Sequence, residues 1–161
     1  MLKQLSGKDL QEIVELREAL EPYAVRNACL KIDYEQKRHL RLMIGRMRKN
    51  ARKIADSRFE DAEACKHMAA ADRNFHETIL DAADNTRLKQ IVENYQLLTS
   101  KIRYPSTHTL RHLALTVLEH WRIYQAVVKG SPDDAEFWMM RHSRRGGREM
   151  IKSLDDVYGE E

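Results

Sequence analysis

The amino-acid sequence predicts an all-α fold, and three observations support this prediction. Apolar residues recur at spacings of three and four through most of the 161 residues, which is the period of one helix face. No segment alternates apolar and polar residues in the way that predicts a β-strand. Residues that break helices are few, with 6 glycines and 3 prolines, and they fall at intervals along the chain.

The first two predicted helices begin directly after residues that commonly cap helix N-termini. Ser6 is the expected N-cap of helix one, and Asp33 is that of helix two. Pro22 falls inside helix one, so it should kink this helix or mark a junction between two pieces. The expected ranges are about Lys8–Lys31 for helix one, Tyr34–Ala55 for helix two and Glu60–Ala83 for helix three.

The last three predicted helices are delimited by proline and glycine. Tyr104-Pro105 should stop helix four, and Gly130 stands where glycine often terminates a helix. Gly146-Gly147 should weaken the middle of helix six. The expected ranges are helix four from its cap Asn85 to about Arg103, helix five from Thr107 to Gly130, and helix six from Pro132 to about Val157.

Composition favours one compact domain that covers residues 1–161 and works in the cytoplasm. The hydrophobic content of 42% is enough for one sizeable core. The net charge of +3, from 28 basic and 25 acidic residues, is too small to indicate a nucleic-acid or membrane surface. The two cysteines, Cys29 and Cys65, suit reduced thiols rather than a disulfide framework. The sequence has no apolar run of about 18 residues and no signal-peptide pattern, so it predicts neither a membrane span nor secretion.

Helix three carries two residues with metal-binding side chains on its apolar face. Asp72 and His76 lie one turn apart in this stripe, so both should point into the core and can close on one ion. Burying a charged carboxylate without a partner costs several kcal/mol. The stripe consists of Cys65, Met68, Ala69, Asp72, Phe75, His76, Ile79, Leu80 and Ala83.

Two more histidines are predicted to face the core from helices five and six. His120 follows Val117 by three residues, and His142 follows Trp138 by four. The apolar stripe of helix five consists of Leu110, Leu113, Ala114, Val117, Trp121, Tyr124 and Val128. That of helix six is outlined by Ala135, Trp138, Met139 and Met150.

The remaining four histidines are expected to be solvated. His39, His67 and His112 fall beside the stripes, and His108 lies in the first turn of its helix. His108 and His112 form an i, i+4 pair that could chelate a metal. This pair ranks below the inward set because no carboxylate or third ligand is nearby.

The inward residues have two interpretations. Each histidine alone could be an ordinary core residue that is hydrogen-bonded to a carbonyl or a tyrosine. A shared divalent cation would instead satisfy three imidazoles and one carboxylate at once. This donor set suits Zn²⁺, which we take as the first candidate, and also Ni²⁺, Fe²⁺, Mn²⁺ or Co²⁺, since ligand type alone does not choose among them.

Four segments of the chain resemble the signature segments of the FCD domain, the helical effector-binding half of FadR-subfamily GntR transcription regulators. They are LREALEPYAVRNA, ADRNFHETILDAADN, LEHWRIYQAVVKGSPDDA and the RH of MMRH. An Asp-x-x-Phe-His motif is followed after 44 residues by the histidine of a Glu-His pair and after 22 more by another histidine. Carried over by position, the family's metal ligands fall on Asp72, His76, His120 and His142.

The resemblance implies an antiparallel bundle of about six to seven helices with a metal site in an internal cavity. A small carboxylate or hydroxy acid would bind there as the effector. Arg17 lies on the apolar stripe of helix one and is the first candidate to bind it. A salt bridge to a helix-end glutamate such as Glu21, or snorkelling to the surface, would explain Arg17 equally well. Arg103 is a weaker candidate, together with Lys101.

The chain departs from the family because no winged-helix DNA-binding domain precedes the helical domain. We expect either a fragment that begins at a domain boundary, which we favour, or a free-standing effector domain. Operator DNA would then be bound only through the missing N-terminal domain. The resemblance also implies a twofold homodimer in which effector binding changes operator affinity.

Two other functions could use the same residues. A small helical metalloenzyme could use the open metal position for hydrolysis, but the stripes offer no further acid or base in an evident catalytic position. A four-helix di-iron protein needs two Glu-x-x-His motifs, and the sequence contains none. The regulator domain, which is not an enzyme, is therefore preferred.

Overall fold

The structure is a computed structural model that describes the backbone of residues 6–99 and 109–158, and their side chains up to residue 152. Within these ranges all regular secondary structure is helical, so the all-α prediction is confirmed. The helices are α1 (Gly7–Lys31), α2 (Tyr34–Asp56), α3 (Ala62–Ala83), α4 (Thr86–Thr99), α5 (Leu110–Lys129) and α6 (Pro132–Tyr158).

Side-chain caps fix the beginnings of several helices. Ser6 and Asp33 form capping boxes with the residues three positions later, as expected from their side chains. Asp61 caps α3, which therefore begins slightly later than predicted. The prediction that Thr107 opens helix five is wrong, because Thr109 is the N-cap of α5 and its side chain accepts the backbone N–H three residues on. Thr107 itself lies outside the described residues.

Pro22 and the paired glycines do not interrupt their helices. Helix α1 is a single helix with Pro22 inside it, so the predicted junction between two pieces is not present. Helix α6 runs through Gly146 and Gly147 without a break. A Cβ at Gly147 would lie 2.5 Å from Val14 Cγ1, which is closer than real Cβ contacts. The absence of a side chain at Gly147 therefore lets α6 approach α1.

Helix α1 brings together the helices that carry the candidate ligands. Its largest contact is with α6, and it also contacts α3 and α5. The main hydrophobic core lies among these helices, α2 and α4, and includes Val25, Met43, Phe75, Ile123 and Met139. A smaller apolar cluster of Ile54, Ala64, Met68 and Leu113 lies between α2, α3 and α5.

The buried face of α5 is only partly the one that the sequence predicts. Leu110, Ala114 and Val128 of the predicted stripe are exposed. The buried residues are Leu113, Thr116, Glu119, His120, Ile123, Ala126 and Val127. Counting only apolar residues misplaces this face, because three of the buried residues are polar and several exposed residues are apolar. In α3, similarly, Ala69 is exposed and Cys65 is half-buried.

Candidate metal centre

Four residues from three helices meet at one point inside the bundle. Asp72 and His76 come from α3, His120 from α5 and His142 from α6, and one ligand atom from each lies within 4.8 Å of the others. We call this group the histidine cluster. His120 is fully buried, and His76 and His142 are each 6% exposed. The structure therefore brings together all four residues that the sequence singles out as metal ligands.

Asp72 is more accessible than its place in the apolar stripe predicts. Its side chain is 40% exposed, so Asp72 is only partly buried and the prediction of a buried side chain is wrong to that extent. It lines a cavity, and this opening accounts for its exposure. Its Oδ1 lies 3.0 Å from His120 Nε2 and 3.9 Å from His76 Nε2. The carboxylate therefore faces the rings from the cavity side.

The imidazole rings lie edge to face or stacked against one another. The ring centroids of His120 and His142 are 4.4 Å apart, and those of His76 and His142 are 5.2 Å apart with nearly parallel planes. Phe75 packs its ring against that of His120 at 4.7 Å. These contacts fix the ring positions on the side away from the cavity.

Hydrogen bonds at Nδ1 set the tautomer of two rings. His120 Nδ1 lies 2.7 Å from the carbonyl oxygen of Thr116, one turn earlier in α5. Because a carbonyl oxygen only accepts, Nδ1 carries the proton and Nε2 keeps its lone pair. His142 Nδ1 donates in the same way to Glu119 Oε2 at 3.1 Å. Histidines that bind metal ions commonly make this kind of second hydrogen bond.

Two ring nitrogens of the cluster have no hydrogen-bond partner among the described residues. They are His76 Nε2 and His120 Nε2, and both are buried. Although His120 Nε2 lies close to Asp72, the contact does not have hydrogen-bond geometry. A buried polar atom without a partner is costly, and a metal ion would supply the missing contact. The residues present thus fit a bound metal.

Electrostatics keep Asp72, His76 and His142 in the protonation states that metal binding requires. Burial and the neighbouring His120 lower the pKa of His142 to about 4, and burial also lowers the pKa of His76. Burial alone would raise the pKa of Asp72, but the close imidazoles of His120, His76 and His142 hold this pKa well below its ordinary value. At neutral pH His76 and His142 are therefore neutral rings and Asp72 is a carboxylate.

Sequence reasoning missed the residue that holds His142 in place. Glu119 is 2% exposed, and it also accepts hydrogen bonds from Arg145 Nε and Nη2 at 2.7–3.0 Å. Burial raises the pKa of Glu119, but the bonds from His142 and Arg145 outweigh this effect and lower it to about 2. The Glu-His pair in the sequence was the available signal, because a carboxylate next to a ligand can support a ligand on another helix.

A cavity of about 220 Å³ opens beside the histidine cluster. Asp72 and His142 lie at one side of it, and Arg17 and Arg145 supply its cationic groups. The other lining residues are Ile54, Cys65, Met68, Ala69, His112, Leu113, Thr116, Gly146, Glu149 and Met150. The expectation that His112 is solvated is wrong, because it is half-buried in this wall.

Arg17 lines the cavity and also forms the salt bridge that was its alternative explanation. Its Nε lies 3.0 Å from Glu21 Oε1. Glu21 is not an exposed helix-end residue, since it is 4% exposed and also accepts hydrogen bonds from Tyr95 at 3.0 Å and Ser143 at 2.7 Å. We call these four residues the Glu21 cluster. Burial raises the pKa of Glu21, but Arg17 and the other partners lower it to about 2.

The other candidates from the sequence do not join the site or are not described. Arg103, Lys101 and His108 lie outside the described residues, so neither the second effector candidate nor the His108–His112 pair is tested. His39 and His67 are exposed, as expected. A larger groove of about 980 Å³ runs along α2, but it opens to solvent and is remote from the histidine cluster.

Comparison with known proteins relates the chain to regulators. The family model of the FCD domain matches residues 12–145. The chain is 28% identical over 152 residues to the uncharacterized HTH-type transcriptional regulator YcbG of Bacillus subtilis, covering 94% of this chain and 59% of the relative. It is 30% identical over 139 residues to the uncharacterized HTH-type transcriptional regulator YdhC of the same organism, covering 86% and 58%. The chain thus spans less than two thirds of either relative.

A solved structure gives an independent comparison of the fold. The metal-free FCD domain of TM0439 superimposes with a TM-score of 0.70, covering 94% of this chain and 98% of that one. The two sequences are 16% identical, so this likeness concerns the fold alone. Separately, none of the described helices has the length and apolar character needed to cross a membrane.

Proposed function

The chain belongs to the FCD domain family, and from this premise we propose that it is the ligand-sensing domain of a transcription regulator. Its family and its regulator relatives support this role. We propose that it binds a divalent metal at the histidine cluster and a small carboxylate or hydroxy acid in the adjoining cavity. Of all the observations, the two buried Nε2 atoms without partners carry the metal proposal.

The proposed metal ligands are Asp72, His76, His120 and His142. Their atoms are close enough together for one ion, and the hydrogen bonds of His120 and His142 at Nδ1 leave Nε2 as the donor atom. Three imidazoles and one carboxylate suit Zn²⁺, our first candidate, as well as Ni²⁺, Fe²⁺, Mn²⁺ and Co²⁺. The charge of Asp72 offsets part of the charge of the ion.

The proposed effector occupies the cavity beside these ligands. When bound, the metal supplies coordination positions for carboxylate or hydroxyl oxygens. Arg17 lines this cavity, and its guanidinium would attract the acid even though Glu21 already holds one edge of it. Arg103 remains a second proposed contact, outside the described residues.

Regulation would follow from linkage between the effector and the helix arrangement. An effector that contacts α1, α3 and α6 together favours the arrangement in which these contacts are possible. We propose that the whole regulator is a cytoplasmic homodimer and that it binds operator DNA through a winged-helix domain outside this chain. The effector would then change the affinity of that domain for DNA.

Metal content of the purified protein tests the proposal. Native mass spectrometry with elemental analysis should show one divalent metal per chain in the wild type. His120→Ala should lose it, because His120 is a buried ligand. His67→Ala is the matched control, since the side chain of His67 is 56% exposed and remote from the histidine cluster, and this variant should keep the metal.

The results would separate the possible functions. Equal metal content in the wild type and His120→Ala would refute the ligand assignment. Turnover of esters, amides or hydroxy acids by the metal-loaded protein would favour the hydrolase, which no observation on the site supports at present. Stoichiometric binding of an acid without turnover is the result expected for a sensor.

A further inference from the structure

Arg145 is the second cationic residue that lines the cavity, and its carboxylate partner Glu119 also contacts the candidate ligand His142. We propose that Arg145 binds the carboxylate of the effector and, through Glu119, positions the metal ligand His142. This inference rests on the proposed function of the site. It adds an anion-binding residue and a route by which acid binding changes metal affinity.

Arg145 is held at the cavity wall by residues of α5. Its Nε and Nη2 donate to the carboxylate of Glu119, and Nη2 also donates to Thr116 Oγ1 at 2.9 Å. Nη1 lies 3.0 Å from His112 Nδ1, which accepts. The side chain is 18% exposed and lines the cavity. The guanidinium is therefore fixed in orientation before any ligand arrives.

This arrangement leaves one N–H of Arg145 for a ligand. A guanidinium has five N–H groups. Nε uses one, Nη2 uses two, and Nη1 uses one in the contact with His112. The second N–H of Nη1 has no partner among the described residues, and a planar carboxylate in the cavity could accept it.

The carboxylate of Glu119 connects Arg145 to the histidine cluster. Its Oε2 accepts both from Arg145 Nη2 at 2.7 Å and from His142 Nδ1 at 3.1 Å. A carboxylate that accepts a hydrogen bond from Arg145 weakens the hydrogen bonds from Arg145 to Glu119. Glu119 then polarises the Nδ1–H of His142 more strongly. A more strongly polarised imidazole is a better metal ligand at Nε2. Acid binding should therefore increase metal affinity, and the reverse follows by reciprocity.

Arg17 is connected to the histidine cluster in a different way. Its carboxylate partner Glu21 is hydrogen-bonded to Tyr95 and Ser143, and no described hydrogen bond joins Glu21 to a ring of the histidine cluster. Both arginines can attract an acid into the cavity. The carboxylate that Arg145 holds is hydrogen-bonded to the candidate ligand His142, whereas Glu21 acts on His76 through its charge.

The experiment measures Zn²⁺ affinity by competition with a chromophoric chelator, with and without acetate. Acetamide is the control probe because it has the shape of acetate without the charge. The variant is Arg145→Gln. Its matched control is Arg144→Gln, because Arg144 is the preceding residue of α6, is 55% exposed, and also pairs with a glutamate, Glu18, at 3.1 Å.

The proposal predicts a set of differences among these proteins. Acetate, but not acetamide, should raise the Zn²⁺ affinity of the wild type and of Arg144→Gln on the order of fivefold. Arg145→Gln should lose the acetate effect, and because Glu119 is then no longer shared with Arg145, it should bind Zn²⁺ on the order of fivefold more tightly than the wild type does without acetate. Arg145→Lys keeps the charge without the planar fork and should recover part of the acetate effect. It also carries the test if Arg145→Gln does not fold.

Two contrary results have different meanings. Absence of Zn²⁺ binding by the wild type would overturn the proposed metal site and this inference with it. If the wild type binds Zn²⁺ but Arg145→Gln matches Arg144→Gln in affinity and acetate response, the role of Arg145 is overturned and the metal site stands.

Discussion

Two clusters of buried polar side chains lie in the same helical bundle, and they differ in whether their acceptor atoms have hydrogen-bond donors. In the Glu21 cluster one carboxylate receives hydrogen bonds from Arg17, Tyr95 and Ser143. In the histidine cluster the ring nitrogens His76 Nε2 and His120 Nε2 receive none from the described residues. The first cluster is complete within the protein, whereas the second offers several electron pairs to a cation.

This difference distinguishes a structural cluster from a binding site. A buried ion pair with satisfied partners mainly holds elements in register, and removing one partner is costly. Buried acceptor atoms without donors gain partners only when a ligand binds. Both clusters draw on α6, which supplies Ser143 to one and His142 to the other. Their responses to mutation, pH and metal should therefore differ in kind.

The largest expected effect is the loss of the Glu21 carboxylate. Glu21→Ala leaves the guanidinium of Arg17 and the hydroxyls of Tyr95 and Ser143 without their common acceptor, and should lower the free energy of unfolding by about 3 kcal/mol. Urea denaturation in the presence of a chelator measures this change. Glu21→Gln, which keeps the shape and some acceptor capacity, should cost less. A Glu21→Ala protein as stable as the wild type would show that the cluster is not structural.

The acid stability of the metal-free protein should depend on the same residue. The pKa of Glu21 falls from its ordinary 4.5 to about 2 in the folded protein. A lowered carboxyl pKa stabilises the fold above the unfolded value and loses that contribution as the pH falls through the folded value. The difference is worth about 3 kcal/mol. Stability should therefore fall between about pH 4.5 and pH 2, and Glu21→Gln should remove this part of the slope.

Metal removal should affect the histidine cluster alone. At a free Zn²⁺ concentration 100 times the dissociation constant, binding stabilises the folded state by about 2.7 kcal/mol. This increment should be present in the wild type and in Glu21→Ala, and absent in His120→Ala. Thermal unfolding with Zn²⁺ and with chelator measures it. A Zn²⁺ increment that persists in His120→Ala would mean that the ion binds elsewhere.

A smaller effect is expected where α6 approaches α1. Gly147→Ala would place a methyl group 2.5 Å from Val14 Cγ1 and should cost about 1–3 kcal/mol, because the two helices must move apart. Gly146→Ala is the control, since the nearest atoms to its methyl group are the Arg17 guanidinium nitrogens at 3.9 Å. It should be neutral or slightly stabilising. Equal stability of the two variants would argue against a tight contact at Gly147.

Much of this architecture can be predicted from the sequence, because several of its signals are local. Ser6 and Asp33 are strong local cap signals, and the structure uses both. The convergence of Asp72, His76, His120 and His142 could be anticipated because each lies in or beside an apolar stripe, and burial of such residues requires a common partner.

Other features depend on contacts between helices that periodicity does not contain. Glu119 and Glu21 are buried carboxylates. Apart from the pairing of Glu21 with Arg17, their burial depends on partners on other helices, which the sequence pattern does not show. Thr116 supports His120 through its backbone carbonyl, which no side-chain pattern signals. The exposure of Asp72 depends on the cavity beside it. The sequence indicates the donor set, whereas the residues that orient it depend on the packing of α5 against α6.

The central claim is that one metal ion binds at the histidine cluster, and locating the ion tests it most directly. Anomalous diffraction from crystals of the Zn²⁺-loaded protein should place one ion in contact with Nε2 of each of the three cluster histidines and with the Asp72 carboxylate. The Glu21 cluster should hold no ion. Zn²⁺ found only at exposed residues such as His39 or His67, with the cluster rings contacting no ion, would contradict the account.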